Sequence, residues 1–548
     1  MEKFVFYFNI VAFAFFAALS LLSLGRKSMG ECNIKNEKLW LWAALLLGLA
    51  LRMAAFGDIP AGINQDGAMA AVDGKALADY GTDRFGTHLP AHLWAWGFGQ
   101  MSSLLSYFIA LFVKLFGLSV ITARLPQLLA SIMGAVCFYL FVRDAFGKRA
   151  GLMAALLLAV NPWHFIQSRW ALDCNLLPHF FMAGIYFLHR GLEKQRGFIY
   201  LSMVFFGLCM YCYGIALYTV SPFLLLCGLY LAAKKRISLR ELLLCGGVWL
   251  AVSWPFILTM MINYFKWDSI ELPFVTMQYF PGSVRSGDIL FFSGDFLAQL
   301  WANLKSFFDV VLLQKKDLPW NDMAGFGTMY KFTLPLALPG LFALAKERGT
   351  GKILALAGLF TGVFAGLATN AVNINRVNLV FYFVLLLIVL GLDFALDRFK
   401  RAAIPSAAIF ALAAALMAGT YFTDYAGNVK HYFYDGFGEA LIAAEDSGAA
   451  VIYVTADAQA EGYAHVSEIL TLFYDETDAE YFQGRTNINK GEELLPYSQR
   501  FSYVSMDENT AASAPDDAAF VIKASDGQYF GGEYEAVYYG GYACVTKK

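Results

Sequence analysis

Long apolar runs, separated by short polar connections, dominate the chain up to residue 421. A helix needs about 20 apolar residues to cross the hydrocarbon core of a membrane. Twelve runs approach or reach that length, and each is predicted to be a membrane-spanning helix. The predicted spans are residues 4–24, 39–56, 119–142, 150–167, 176–190, 198–214, 215–232, 241–262, 330–345, 352–370, 377–395 and 403–421.

Basic residues cluster in every second connection between these spans. The clusters lie at residues 26–38, 143–149, 190–196, 234–240, 346–352 and 398–401. Lysine and arginine collect on the cytoplasmic side of membrane proteins, so these connections are predicted to be cytoplasmic. Both termini and four other regions are then predicted to lie outside: residues 57–118, 168–175, 263–329 and 371–376.

One further apolar stretch, SSLLSYFIALFVKLFGL at residues 102–118, does not fit this alternation. Counted as a thirteenth span, it would place the basic 143–149 connection outside. We therefore predict a re-entrant or interfacial helix that closes the first outer loop. The segment 4–24 is longer than a signal-peptide core and lacks a small-residue cleavage site, so it is predicted to be a retained helix.

The composition supports an α-helical membrane protein with many spans. Of the 548 residues, 58% are hydrophobic and 15% are charged, against about 25% charged residues in soluble domains. The formal net charge of -2 argues against a nucleic acid partner, because such proteins usually carry a basic excess. The eight cysteines lie mostly in apolar runs, and the pair Cys209 and Cys212 is interpreted as helix packing rather than a metal site.

The last part of the chain is polar and acidic. Within it, VIYVT (451–455) predicts a buried strand, and SEILTLFY (467–474) is an apolar run after polar residues. We predict two domains: a transmembrane domain over residues 1–422, and an extracytoplasmic α/β accessory domain over residues 423–548.

The first outer loop contains two carboxylates at helical spacing. A helix that begins near Asn64 and ends before Gly81 places Asp66 and Asp73 on one stripe, because seven residues make about two turns. The alternative interpretation is a solvated polar face of an interfacial helix.

The second outer loop, NPWHFIQSRWALDCNLLPHF (161–180), concentrates aromatic and ionisable residues at the mouths of two spans. Ionisable side chains at membrane depth are costly and usually mark a site or a water-filled cavity. An interfacial aromatic belt with an Arg and Asp pair is the alternative. The residues concerned are Trp163, His164, Arg169, Trp170, Asp173 and His179.

A third outer cluster, NAVNINRVN (370–378), places Arg376 at the entrance of a span among three asparagines. An outer arginine opposes the usual charge bias, so an anionic partner is expected there. A planar guanidinium suits a phosphate group. A salt bridge to an outer aspartate explains the residue equally well.

Several segments resemble the membrane glycosyltransferases of the GT-C fold, in the branch that contains the protein O-mannosyltransferases and the lipid A aminoarabinose transferase. They are an acidic residue just after an early span, GTDRFGTHLPAH (81–92), LFGLSVITARLPQLLASIMGAV (115–136) and NPWHFIQSRWALD (161–173). The resemblance covers roughly residues 39–395.

The resemblance implies inverting transfer of a sugar from a polyprenyl-phosphate lipid to an acceptor at the outer face of the plasma membrane. Asp66 then matches the first-loop catalytic acid, and Asp173 matches the second-loop aspartate of the same cavity. Many members carry a second acidic residue after the first, whereas this chain has Gly67. That departure leaves the class of acceptor open.

Chemically, a carboxylate such as Asp66 can take the proton of the acceptor hydroxyl. Cationic groups such as Arg376 and Arg169 can stabilise the departing phosphate. The sequence has no Asp-x-Asp motif and no glycine-rich phosphate loop. No metal ligands are therefore assigned, although a divalent metal stays possible. The predicted substrate-binding residues are Arg376, Arg169, Asn375, His88, Trp163 and Asp73.

Two alternatives remain. A transporter or flippase of lipid-linked oligosaccharides would also have many spans, but it predicts inverted repeats and charges near the middle of the membrane. An oligosaccharide polymerase or ligase uses a lipid-linked donor too, and the sequence separates it poorly from a transferase. The sugar and the hydroxyl acceptor, whether protein, lipid or cell-envelope glycan, are left open.

Overall fold

A computed structural model describes residues 2–28, 36–96, 99–281, 296–315, 317–369, 372–456, 464–479 and 500–548. Parts of several predictions lie outside these residues: Lys35 of the first basic cluster, parts of the outer regions 57–118, 263–329 and 371–376, residues 370 and 371 of the third outer cluster, and parts of the C-terminal domain.

Most helices lie in the first 429 residues and form the apolar part of the molecule. In chain order they are α1 (Glu2–Leu24), α2 (Glu37–Met53), α3 (Gln65–Tyr80), α4 (Leu104–Phe116), α5 (Val120–Phe146), α6 (Lys148–Ala159), α7 (Pro162–Gln167), α8 (Asp173–Glu193), α9 (Gly197–Leu208), α10 (Ala216–Ala233), α11 (Leu239–Phe265), α12 (Phe296–Phe307), α13 (Ala337–Lys346), α14 (Thr350–Leu367), α15 (Phe381–Arg398), α16 (Ala403–Thr420) and α17 (Ala426–Val429).

Within the described residues, seven helical segments are long and apolar enough to cross a membrane. They contain α1, α5, α10, α11, α14, α15 and α16, and α15 is almost wholly buried at the centre of the bundle. The other five predicted spans coincide with helices that are shorter or more polar: α2, α6, α8, α9 and α13. In one of these, α6 ends before Asn161, whose side chain accepts from the His164 N–H and caps α7, with Pro162 in its first turn.

The stretch 102–118, predicted to be a re-entrant or interfacial helix, contains the last residue of a strand and a short helix. Two antiparallel strands, β1 (His92–Ala95) and β2 (Gly99–Ser102), precede α4. The thirteen residues of α4 extend about 20 Å, which is too short to cross the hydrocarbon core. One face of α4 packs on α3, while Leu115 and Phe116 are exposed.

The C-terminal part contains a five-stranded mixed sheet. Its strands are β5 (Ile452–Thr455), β6 (Phe501–Val504), β7 (Ala519–Lys523), β8 (Tyr534–Tyr539) and β9 (Tyr542–Lys547), in the order β6-β5-β7-β9-β8. The accompanying helices are α18 (Phe437–Asp446), α19 (Ala464–Tyr474) and α20 (Glu508–Ser513). A separate antiparallel pair, β3 (Ile270–Leu272) and β4 (Val275–Met277), follows α11. The stretch predicted as a strand contains β5, and the predicted apolar run ends α19.

The C-terminal part packs directly on α3. Helix α19 lies against α3, and the Tyr80 hydroxyl donates to the Asp478 carboxylate at 2.8 Å. At the other end of α3, the Tyr434 hydroxyl donates to Gln65 Oε1 at 2.8 Å. A Cβ on Gly62 would lie 2.1 Å from the Phe433 carbonyl oxygen, so glycine is required for this close approach.

Candidate active site

Asp66 and Asp173 line one cavity of about 120 Å³. The two carboxylates come from the first and second loops of the chain, and the cavity lies where these loops meet. Asn375, from the third cluster, lines the same cavity. The remaining lining residues are Met69, Ala95, Trp96, Gln100, Met101, Leu172, Cys174 and Tyr213.

The first turn of α3 carries Asp66. Asn64 immediately precedes the helix. With its side-chain nitrogen turned toward the second loop, the amide donates to the Ala171 carbonyl at 3.1 Å and accepts from the Gly67 N–H at 3.2 Å. The Trp96 indole N–H donates to Asp66 Oδ1 at 3.0 Å. A carboxylate at a helix N-terminus is stabilised by the helix dipole. The site therefore holds Asp66 by a helix end, an indole and a link to the second loop.

A second helix N-terminus carries Asp173. Asp173 is the first residue of α8, and its Oδ1 accepts from the Cys174 N–H at 2.6 Å. The dipole of α8 therefore favours the ionised carboxyl group here as well. Two helix ends thus present two carboxylates to one small cavity.

Gly67, where the resemblance leads one to expect a second acid, lies against Ala171 of the second loop. A Cβ at this position would lie 2.7 Å from the Asn64 side-chain amide and 3.0 Å from the Ala171 carbonyl oxygen. A larger side chain would push the loops apart. The departure from the family pattern therefore has a local packing reason.

Arg169 is not placed to bind a phosphate, which corrects the prediction for this residue. Its guanidinium is fully buried and donates to the main-chain carbonyls of Leu51, Arg52, Ala54, Ala55 and Ile59. Its Nε donates to a tyrosine hydroxyl at 2.9 Å. All five N–H groups of the side chain are thus used within the protein.

A second buried arginine holds the same loop, and sequence reasoning did not select it. Arg124 donates from Nη1 and Nη2 to the carbonyls of Phe56, Gly57, Pro60 and Gly62, at 2.6–3.2 Å. Its only sequence signal was its place in the segment LFGLSVITARLPQ. Together, the two guanidinium groups fix the chain between α2 and α3, and so fix where α3 begins.

Asp73 does not share the cavity with Asp66, which corrects a second prediction. Seven residues place the two carboxylates on one stripe but also about 10 Å apart along the helix axis. Asp73 is fully buried and pairs with Arg84, Oδ2 to Nη1, at 2.5 Å. Burial raises its pKa to about 6. The pair links α3 to the connection that leads to β1.

Trp163 and His88 are not among the described residues that line the cavity. Trp163 is buried, and its indole N–H donates to Asn378 Oδ1 at 3.0 Å. The ring of His88 lies 3.3 Å from the Pro273 carbonyl oxygen, next to the β3–β4 pair. Trp163 therefore contacts the protein rather than the cavity, whereas His88 is exposed beside the β3–β4 pair.

The third cluster contributes Asn375 to the cavity and Arg376 beside it. The Asn321 amide donates to Asn375 Oδ1 at 2.8 Å and orients it. Arg376 is half-buried, and its main-chain N–H donates a hydrogen bond to Asn373 Oδ1 at 3.0 Å. The asparagines thus shape the turn that carries the arginine.

Trp96 and Tyr213 are cavity residues that sequence reasoning missed. Each lies next to glycine in an aromatic stretch, AWGFG and CYG, which gives no signal distinct from an interfacial aromatic belt. In the part of the chain that the structure describes, no group of three or more His, Cys, Asp or Glu side chains is arranged to hold a metal ion.

A family model described as dolichyl-phosphate-mannose-protein mannosyltransferase matches residues 102–259. No curated protein matches the chain significantly. Among solved structures, ArnT from Cupriavidus metallidurans bound to undecaprenyl phosphate is 12% identical, with a TM-score of 0.51 and coverage of 92% of this chain and 97% of that chain. The oligosaccharyltransferase AglB from Archaeoglobus fulgidus, in complex with an inhibitory peptide and a dolichol-phosphate, is 13% identical, with a TM-score of 0.46 and coverage of 79% and 63%.

The family-model match and the similarity to ArnT confirm the predicted resemblance. The similarity to ArnT spans nearly the whole of both chains, and the family model matches the segment from the end of β2 into α11. The chain has the GT-C fold of this group of membrane glycosyltransferases. At 12% identity, the likeness shows the fold and leaves the donor and the acceptor open.

Proposed function

We propose that this protein transfers a sugar from a polyprenyl-phosphate lipid to a hydroxyl group of an acceptor, with inversion at the anomeric carbon. The reaction takes place at the cavity between the first and second loops, on the outer face of the plasma membrane. The observation that carries the proposal is the meeting of Asp66 and Asp173, each at a helix N-terminus, in one cavity.

Asp66 acts as the general base. As the acceptor oxygen bonds to the anomeric carbon, the bond from that carbon to the phosphate oxygen breaks, the lipid phosphate leaves with both electrons of that bond, and the hydroxyl proton passes to the carboxylate. The hydrogen bond from the Trp96 indole to Oδ1 orients the carboxylate within the cavity. Asp173, on the same cavity wall, orients the acceptor or the sugar by accepting a hydroxyl hydrogen bond.

The departing lipid phosphate carries negative charge and needs a cation near the anomeric carbon. Arg376 directly follows the cavity residue Asn375 and fills this role in the proposal, since Arg169 is committed to main-chain carbonyls. A polyprenyl-phosphate donor agrees with the undecaprenyl phosphate named for the structurally similar ArnT. A volume of about 120 Å³ suits the reacting groups rather than whole substrates, since complete ligand pockets occupy roughly 300–1,000 Å³.

Residues 423–548 serve as an accessory domain that supports the acceptor side of the site. This part of the proposal rests on the contacts of Tyr434 with Gln65 and of Asp478 with Tyr80, at the two ends of α3. No carboxylate of the tail is given a chemical role.

The experiment compares Asp66→Asn with the matched variant Asp79→Asn. Asp79 lies on the same helix and makes a solvent-facing ion pair with Lys75, which contributes about 0.5 kcal/mol or less. Transfer is measured as radiolabelled sugar leaving a polyprenyl-phosphate donor in reconstituted membranes. We expect at least 1,000-fold slower transfer for Asp66→Asn, with normal insertion and donor binding, and near wild-type transfer for Asp79→Asn. Transfer by Asp66→Asn within a few-fold of the wild type would exclude the general base.

A further inference from the structure

An apolar groove of about 340 Å³ lies between α9, α10 and α11. Its walls are formed by leucine, isoleucine and methionine side chains and by small residues, among them Cys227, Gly228, Cys245 and Gly246. Leu225 and Leu229 also line the groove and are 62% and 52% exposed. The groove therefore opens sideways on the surface of the bundle that faces the bilayer.

The length of the groove matches one hydrocarbon chain in one leaflet. Along α10, its lining runs from Ser221 to Leu231, which is about 15 Å of helix. That is half of the roughly 30 Å hydrocarbon core. Because an unfilled groove forfeits dispersion contacts along its walls, a bilayer chain is the natural occupant.

The groove ends at a connection rich in cations. Leu231, Ile237 and Leu242 line this end, and the residues between them include Lys234, Lys235 and Arg240, all exposed. Among the described residues, neighbouring Arg236 pairs with a glutamate at 2.6 Å, whereas no ion pair involves Lys234, Lys235 or Arg240. An occupant with a negative head group would neutralise them.

The groove is separate from the candidate active site. Leu188, which lines the groove, is fifteen residues from Asp173 along α8, or about 22 Å. The basic end of the groove and the catalytic cavity thus lie toward opposite ends of the same helix. The reacting phosphate of a donor lipid cannot occupy both.

We propose that this groove binds one acyl chain of an anionic phospholipid, whose phosphate group lies against Lys234, Lys235 and Arg240. A lipid chain is already in hydrocarbon before it binds, so burial of apolar surface gives no preference for the groove. The cations therefore set the selectivity for anionic lipids, and the shape of the groove sets the position. The proposal is independent of the transfer reaction.

The test is native mass spectrometry of the full-length protein, purified in detergent and titrated with phosphatidylglycerol or phosphatidylcholine. Gly246→Leu places a side chain in the groove, and Gly247→Leu is its control. An added Cβ meets no atom within 4 Å at either glycine, but only Gly246 lines the groove. We expect at least a tenfold loss of phosphatidylglycerol binding for Gly246→Leu and no loss for Gly247→Leu, with equal melting temperatures.

A second variant, Lys235→Ala with Arg240→Ala, tests the head-group contact without touching the groove walls. Each cation near a lipid surface contributes about fivefold to the binding of an anionic lipid. The double variant should therefore lose most of its preference for phosphatidylglycerol over phosphatidylcholine. Equal binding by the Gly246→Leu and Gly247→Leu variants would overturn the proposal. Displacement of phosphatidylglycerol by polyprenyl phosphate at equal concentration would overturn it too, and would assign the groove to the donor chain.

Discussion

Replacing Gly67 by alanine tests whether the contact between the first and second loops sets the position of Asp66, the proposed base. The new Cβ would lie 2.7 Å from the Asn64 amide and 3.0 Å from the Ala171 carbonyl oxygen. Ordinary contacts of this kind are 3.4 Å or longer, so the loops must separate by several tenths of an ångström. Inserting a methyl group into a packed contact costs about 1–3 kcal/mol. The hydrogen bonds of Asn64 across the loops are lengthened or lost.

The displacement acts on Asp66, the neighbouring residue. Since a misplacement of about 1 Å costs roughly 100-fold in rate, a shift of several tenths of an ångström predicts roughly a 5- to 25-fold fall in kcat. The KM for the donor lipid should change little. The assay is sugar transfer in reconstituted membranes, with thermal unfolding measured in parallel.

Gly419→Ala is the matched control, because it adds the same methyl group to a membrane helix where no atom lies within 4 Å. Alanine in a helix interior is favoured over glycine by about 1 kcal/mol, so this variant should be as stable as the wild type or more so, and fully active. Wild-type kcat in Gly67→Ala would refute the reasoning. It would show that the loops separate freely and that their contact does not position the base.

Three further outcomes are expected. Asp73→Asn removes the carboxylate that pairs with buried Arg84, so the melting temperature should fall by the equivalent of about 3–5 kcal/mol, while kcat at a permissive temperature stays near normal; a selective loss of kcat would return Asp73 to the substrate site. Arg376→Ala should weaken binding of donor lipid and slow transfer, and Arg376→Lys should restore only part, because lysine lacks the planar fork; equal donor affinity in all three forms would indicate a protein partner for this arginine. Tyr434→Phe removes the hydrogen bond to Gln65 and should lower kcat about 3- to 10-fold, as expected for about 1 kcal/mol, with unchanged donor binding; unchanged kcat would exclude a positioning role for the tail.

Local patterns were sufficient to predict α3 and its acid. The predicted helix, from near Asn64 to before Gly81, matches the observed range Gln65–Tyr80 within a residue, because a cap residue and a C-terminal glycine mark its ends. Spacing also placed Asp66 and Asp73 correctly on one stripe. The spacing could not show that Asp66 lines a cavity whereas Asp73, two turns further along the same helix, forms a buried ion pair.

The roles of the arginines could not be read from the sequence, because they depend on which carbonyl groups lie nearby. In the loops, Arg169 and Arg376 look alike: each is a cation near the outer end of a span. The fold directs Arg169 to five carbonyls in the last turn of α2 and in the chain that follows it and leaves Arg376 next to the cavity residue Asn375. Arg124, within an apolar helix, gave no sign that it shares the same task.

The packing of the C-terminal part against the site is the feature that was hardest to predict from the sequence. It also matters most for how the site is assembled. Composition separates the polar tail from the apolar bundle, yet the Phe433 carbonyl fits against Gly62 and the next residue, Tyr434, bonds Gln65, beside Asp66. Tyr434 itself has a left-handed backbone, with φ 56°, a conformation that costs a non-glycine residue energy and persists only where its surroundings hold it. Since α19 and Asp478 hold the opposite end of α3, the helix that presents Asp66 is packed between the bundle and the tail. Asp66, the proposed base, therefore lies on a helix that both parts of the chain hold in place.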